Sequence, residues 1–62
     1  MELTLSPEEA AFLHRVLTNY LPGLREEIAG TENYEWRQAL KKDEELLKAL
    51  IDRLEKAGVT SS

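Results

Sequence analysis

Apolar side chains recur every three or four residues along two stretches of the chain, and each stretch predicts an amphipathic helix. The first stretch carries Ala10, Leu13, Leu17, Tyr20, Leu21, Leu24 and Ile28. The second carries Trp36, Leu40, Leu47, Leu50, Ile51 and Leu54. The pattern predicts an all-α fold with helices at about residues 7–29 and 34–57 and a connector at about 30–33.

Residues with strong positional preferences indicate where these helices begin and end. Ser6 followed by Pro7 and Glu9 is typical of a capped helix start, because Ser6 and Glu9 form a capping box. Gly30 predicts the end of the first helix through a left-handed glycine. A cap for the second helix is available between Thr31 and Asn33. The whole chain, residues 1–62, is therefore predicted to be a single helical hairpin.

Pro22 lies inside the first predicted helix, where proline removes a backbone donor and clashes with the preceding turn. The apolar period nevertheless continues in phase from Tyr20 to Leu24. This continuity favours one helix kinked at Pro22 over two short helices.

A connector of a few residues requires the helices to lie antiparallel. Aligning the two apolar stripes places Leu24 opposite Leu40 and Leu17 opposite Leu47. A lone hairpin of this size has little core to offset the entropy of ordering its chain.

Both apolar arcs are also wider than a two-helix seam requires. A second copy related by a two-fold axis would cover the excess and complete an antiparallel four-helix bundle. The residues expected at such an interface are Phe12, Val16, Tyr20, Trp36, Asp43, Leu46 and Leu50.

Three polar or aromatic positions interrupt the pattern. Asp43 falls between Leu40 and Leu47, either buried beside the Tyr20 hydroxyl or at a solvated edge, and both alternatives stay open. Trp36 is expected in the core, although an exposed Trp36 would be an anchor for a partner. A salt bridge between Glu27 and Arg37 is expected near the connector.

The composition argues against catalysis and metal binding. The chain has no cysteine and one histidine, His14, which is expected to be structural or exposed. A thiol nucleophile, a thiolate zinc site and a histidine pair are therefore excluded, and no phosphate-binding glycine loop is present. No catalytic residue, cofactor or metal ligand is predicted, and an enzyme is not expected.

Charge and hydropathy weigh against nucleic acid and membrane partners. The chain carries 8 Lys and Arg against 12 Asp and Glu, a net charge of -4, and the cations are scattered. Phosphate binding and adsorption to anionic lipid both require basic surfaces. The longest apolar run, residues 10–13, is too short to cross a bilayer. No signal peptide is recognisable, so a cytoplasmic location is expected.

Three sequence blocks support a family resemblance. They are Leu3-Thr4-Leu5-Ser6 with Glu8-Glu9-Ala10, then Tyr20-Leu21 with Leu24-Arg25, Glu27-Ile28-Ala29 and Thr31-Glu32, and last Arg37 with Leu40-Lys41. In these blocks the chain resembles a group of short, uncharacterised bacterial proteins that form helical hairpins. That resemblance implies the hairpin fold and brings no activity with it.

The function predicted from the sequence is that of a small, non-enzymatic module that forms homodimers through its apolar helix faces. One alternative is an accessory or antitoxin-like subunit whose apolar surface binds a different protein. A small nucleic-acid-binding regulator is a further alternative, which the acidic balance disfavours.

Overall fold

Two α-helices make up the computed structural model, which describes residues 2–59. Helix α1 is Pro7–Gly30 and helix α2 is Tyr34–Lys56, joined by residues 31–33. The prediction of an all-α, two-helix hairpin is confirmed. The first residue and the last three residues of the predicted unit lie outside the described residues.

The start of α1 is stabilised by the capping box. The Ser6 hydroxyl accepts a hydrogen bond from the Glu9 amide at 3.1 Å, and the Glu9 carboxylate accepts one from the Ser6 amide at 2.9 Å. These hydrogen bonds satisfy two donors that a helix start otherwise leaves free. They also hold the pKa of Glu9 below its ordinary value, mainly through the bond from the Ser6 backbone and then through the Ser6 side chain.

The connector differs from its predicted conformation. Helix α1 ends at Gly30, but the next residue, Thr31, is extended with φ -88° and ψ 138°, and Gly30 does not have a positive φ. The expectation of a left-handed Gly30 is therefore wrong, because an extended residue already turns the chain out of the helix. Helix α2 then begins with Asn33, whose side chain accepts a hydrogen bond from the Trp36 amide at 2.8 Å.

The left-handed glycine instead closes α2. Gly58 has φ 89°, and its amide donates to the Glu55 carbonyl at 3.0 Å. The Val59 amide donates to the Leu54 carbonyl at 2.9 Å. This pair of bonds is the Schellman motif, which satisfies carbonyls at the helix end.

Helix α1 runs through Pro22 without a break, so the interpretation as one helix rather than two is confirmed. Pro22 is exposed, on the side of α1 that faces away from the buried Leu24. Water can therefore reach the backbone groups that the proline leaves without a partner.

The hydrophobic core between the helices is small. Leu24 is 1% exposed, and with Leu40 and Leu47 it forms the buried cluster. Partly buried side chains pack around this cluster, namely Leu17, Leu21, Ile28 and Ile51. Most of the remaining apolar surface of both helices lies outside this core.

A histidine–carboxylate hydrogen bond and an ion pair show the antiparallel register of the helices. His14 Nε2 lies 2.9 Å from Glu55 Oε2, and Arg25 Nε lies 3.0 Å from Glu44 Oε2. In each pair the residue numbers add up to 69, whereas the alignment of stripes in the sequence gives 64. Side chains on a helix lean toward its N-terminus, and the N-termini of two antiparallel helices point in opposite directions. Two side chains that meet therefore start from Cα atoms that lie further toward the C-terminus of each helix. Contacts therefore join residues of higher combined number than the connector alone suggests.

Candidate interaction face

One side of the hairpin carries most of the exposed apolar side chains. Successive residues are rotated by about 100° around a helix axis. Measured from the buried Leu24, the side chains of Phe12, Val16 and Tyr20 lie about 40–120° to one side of α1. Measured from the buried Leu40, those of Trp36, Leu46 and Leu50 lie about 40–120° to the same rotational side of α2.

The two arcs lie on the same face of the hairpin. Viewed from one end of the hairpin, successive residues turn clockwise around one helix and counterclockwise around its antiparallel neighbour. The two helices also face each other, in opposite directions. These two differences cancel, so equal angles on the same rotational side lie on the same face of the hairpin. We call the surface formed by Phe12, Val16, Tyr20, Trp36, Leu46 and Leu50 the apolar face.

The opposite side of the hairpin carries the Arg25–Glu44 ion pair and the His14–Glu55 hydrogen bond, and we call it the ion-paired face. By the same geometry His14, Arg25, Glu44 and Glu55 all lie about 40–100° to the other rotational side. His14–Glu55 and Arg25–Glu44 each join one helix to the other across this face. The contacts therefore agree with the assignment of the two faces.

The side chains of the apolar face are open to solvent. Their exposed fractions run from 43% at Val16 to 58% at Phe12. Within residues 2–59, eight large apolar side chains are exposed, and six of them belong to this face. Leu3 and Tyr34 are the other two.

The interhelical seam is shifted toward the ion-paired face. Val16 and His14 lie at similar angles, about 80°, on opposite sides of Leu24. His14 is nevertheless 5% exposed and Val16 is 43% exposed. The two helices are thus rotated so that one flank of the apolar stripe is covered and the other flank is left uncovered.

Two aromatic side chains that were expected at the seam lie on the uncovered flank. Trp36 is 50% exposed, so its expected place in the core is wrong, and Tyr20 is 55% exposed. Asp43 is exposed as well, which selects the solvated of its two alternatives. The structure brings all seven of the interface candidates together on one face, six of them apolar, with Asp43 among them.

The expected salt bridge between Glu27 and Arg37 is not formed, because these residues lie on different faces. Glu27 is exposed about 60° toward the apolar face, and Arg37 lies about 60° toward the ion-paired face. The Arg37 guanidinium instead donates a hydrogen bond to the Thr31 carbonyl in the connector. Arg37 therefore stabilises the turn between the helices.

A groove of about 480 Å³ lies at the open end of the hairpin, where α1 begins and α2 ends. Its walls are Leu13 and Leu17 from α1, Leu50 and Leu54 from α2, and Ala57, the residue that follows α2. The N-terminal segment contributes Leu3 and Leu5, and Arg53 is the one charged residue of the lining. Since Leu50 belongs to both, the groove continues the apolar face to the open end.

The ionisable side chains show how little local sequence reveals of the ion-paired face. His14 and Glu55 are 41 residues apart, and no spacing rule predicted their contact.

Among residues 2–59, no three His, Cys, Asp or Glu side chains are grouped so that they could hold a metal ion. Neither α1 nor α2 has an apolar segment long enough to span a membrane.

Fold and surface together define a class of protein, a two-helix hairpin with polar contacts between the helices on one face and exposed apolar side chains on the other. Comparison of the chain with known proteins finds no matching family model, no matching curated protein and no matching solved structure.

Proposed function

We propose that this protein is a small, non-enzymatic interaction module that forms homodimers by pairing the apolar faces of two copies. The observation that carries this proposal is the grouping of six exposed apolar side chains on one face, with exposed fractions of 43–58%. Exposed apolar side chains grouped on one face mark sites of association in soluble proteins.

The surface area of the chain supports this proposal. The accessible surface is 5118 Å², whereas a compact monomer of 7.1 kDa exposes about 4,100 Å². The excess of about 1,000 Å² compares with the roughly 800 Å² that each partner buries in a standard interface. The radius of gyration of 13.4 Å likewise exceeds the about 10.6 Å of a compact chain of this length.

A second copy is the simplest occupant of the face. A two-fold axis places the same surface on both sides of the interface, so one apolar face covers another. Four helices then surround one core, as in an antiparallel four-helix bundle. The resemblance to short bacterial hairpin proteins, if it reflects kinship, is compatible with this arrangement and adds no activity to it.

A bend of α1 near Pro22 is part of the same proposal. Proline at an exposed helix position bends the helix so that its solvent side is convex. One turn earlier, the Thr18 hydroxyl donates to the His14 carbonyl at 2.9 Å, a contact that often accompanies helix bending. Such a bend would curve α1 around the core that it shares with α2.

Sedimentation velocity over a concentration series tests the proposal. The expected result is a reversible equilibrium between 7.1 kDa monomers and dimers of twice that mass. A folded monomer at every concentration, including the high micromolar range, would contradict homodimerisation. A monomer that gains a stable fold with a different protein would instead support the accessory-subunit alternative.

A further inference from the structure

The apolar face is not uniform along its length. Four of its six side chains, Phe12, Val16, Leu46 and Leu50, lie in the half nearer the open end, and Tyr20 lies just past the middle of α1. The half nearer the connector carries Trp36 together with two exposed carboxylates. These belong to Glu27 and Asp43, each about 60° from the seam toward the apolar face.

We infer that two copies overlap through the open halves of their apolar faces, with the two-fold axis perpendicular to the helices and the connectors at opposite ends. This inference rests on the proposed homodimer and adds its geometry. The axis passes beside Val16 and Leu50, whose numbers add up to 66, within three residues of the observed register of 69.

The two carboxylates decide against the alternative arrangement, in which the axis runs parallel to the helices. That arrangement aligns the connectors and places Glu9, Glu27 and Asp43 of both copies, six carboxylates in all, inside one interface. Burying an unpaired carboxylate is strongly unfavourable, and like charges at close range add to the cost. The apolar surface in that half, chiefly Trp36, is too small to offset it.

The perpendicular axis leaves Glu27 and Asp43 in water. It encloses only Glu9, which lies at the same angle about 10 Å from the axis and whose carboxylate accepts a hydrogen bond from the Ser6 amide. With a rise of 1.5 Å per residue, Asp43 lies about 10 Å from the axis, and the partner's α2 ends about 9 Å from it. Glu27 lies about 16 Å from the axis, and the partner's α1 begins about 14 Å from it. Asp43 also arrives beside a helix end whose last turn carries Arg53 and Lys56, which are of opposite charge.

The groove at the open end receives side chains of the second copy in this arrangement. Its wall at the end of α2, formed by Arg53, Leu54 and the following Ala57, lies three to seven residues beyond Leu50. The two-fold axis therefore brings Leu46 of the second copy over that wall. Tyr20 of the second copy arrives beside Leu13 on the other wall. The groove of each copy thus receives side chains of the other copy, so the two halves of the contact are identical.

Single cysteines test the arrangement, since the chain has none of its own. We expect Val16→Cys to form a disulfide-linked dimer under mild oxidation, because the two Val16 side chains meet at the axis. The matched control is Ala49→Cys, an exposed α2 position on the outer side of the hairpin, which should remain uncrosslinked.

Spin labels on Glu32→Cys, in the exposed connector, measure the geometry directly. The expected distance between the two labels in the dimer is about 50 Å, from sixteen helical rises on each side of the axis. A distance of about 10–20 Å, close to the spacing of neighbouring helices, would overturn the perpendicular axis and leave the homodimer standing. A single monomeric species would overturn the homodimer itself, and sedimentation of the same sample identifies that result.

Discussion

Replacement of Leu46 by alanine separates the stability of one hairpin from the affinity between two. Leu46 is 55% exposed and lies on the apolar face, away from the Leu24–Leu40–Leu47 cluster. Alanine has the highest helix propensity, so α2 should form at least as well in the variant. We expect the Leu46→Ala hairpin to lose affinity for a second copy while its own stability changes by less than about 1 kcal/mol.

The size of the effect follows from the exposed fraction of Leu46. Full burial of a leucine side chain stabilises by about 1.5–3 kcal/mol, and 55% of the residue is still exposed in the single hairpin. Dimerisation thus gains about 0.5–1.5 kcal/mol from this side chain in each copy, after the Cβ that alanine retains is discounted. Two copies lose about 1–3 kcal/mol, which raises the dimer Kd by about 5- to 150-fold.

Sedimentation equilibrium gives the Kd, and circular dichroism at several protein concentrations gives the melting temperature. The control is Tyr34→Ala. Tyr34 is 73% exposed, more than the 55% of Leu46, and lies on the ion-paired side of the hairpin. The control should leave the Kd unchanged. Equal Kd values for Leu46→Ala and the unaltered protein, or equal losses in both variants, would refute the assignment of the interface to the apolar face.

Substitutions at three further positions test the contacts within one hairpin. Ser6→Ala should cost about 0.5–2 kcal/mol in chemical denaturation. It should also weaken the dependence of stability on acid pH that Glu9 contributes. The pKa of Glu9 is lower in the folded protein than its ordinary value of 4.5, so its carboxylate stabilises the fold above pH 4.5. This stabilisation is lost as the pH falls through the folded-state pKa. Glu55→Ala removes the 2.9 Å contact to His14 and should cost about 1 kcal/mol, with Glu55→Gln closer to the unaltered protein because its amide still offers a hydrogen bond. Tyr20→Phe should change the unfolding free energy of the hairpin by less than about 0.5 kcal/mol, and a larger loss would show that the Tyr20 hydroxyl is bonded within the hairpin.

Local sequence signals decide where the helices lie and which residues share a face. The capping box at Ser6 and Glu9 places the start of α1, because its hydrogen bonds span only three residues. The 3.6-residue period determines the angle of each side chain around its own axis, and a three-residue connector forces the antiparallel arrangement. For this reason the candidates chosen from spacing alone, from Phe12 to Leu50, all lie on one face of the hairpin.

Tertiary structure decides which part of each wide apolar arc is covered. That choice depends on a rotation of each helix about its own axis and on a shift along it. Contacts between residues 19 and 41 positions apart, Arg25–Glu44 and His14–Glu55, accompany this rotation and shift. Local spacing carries no record of such pairs, so Trp36 was expected in the core and Arg37 beside Glu27. Both helices present more apolar surface than one partner helix can bury, and only the energies of competing interhelical contacts select the flank that stays open.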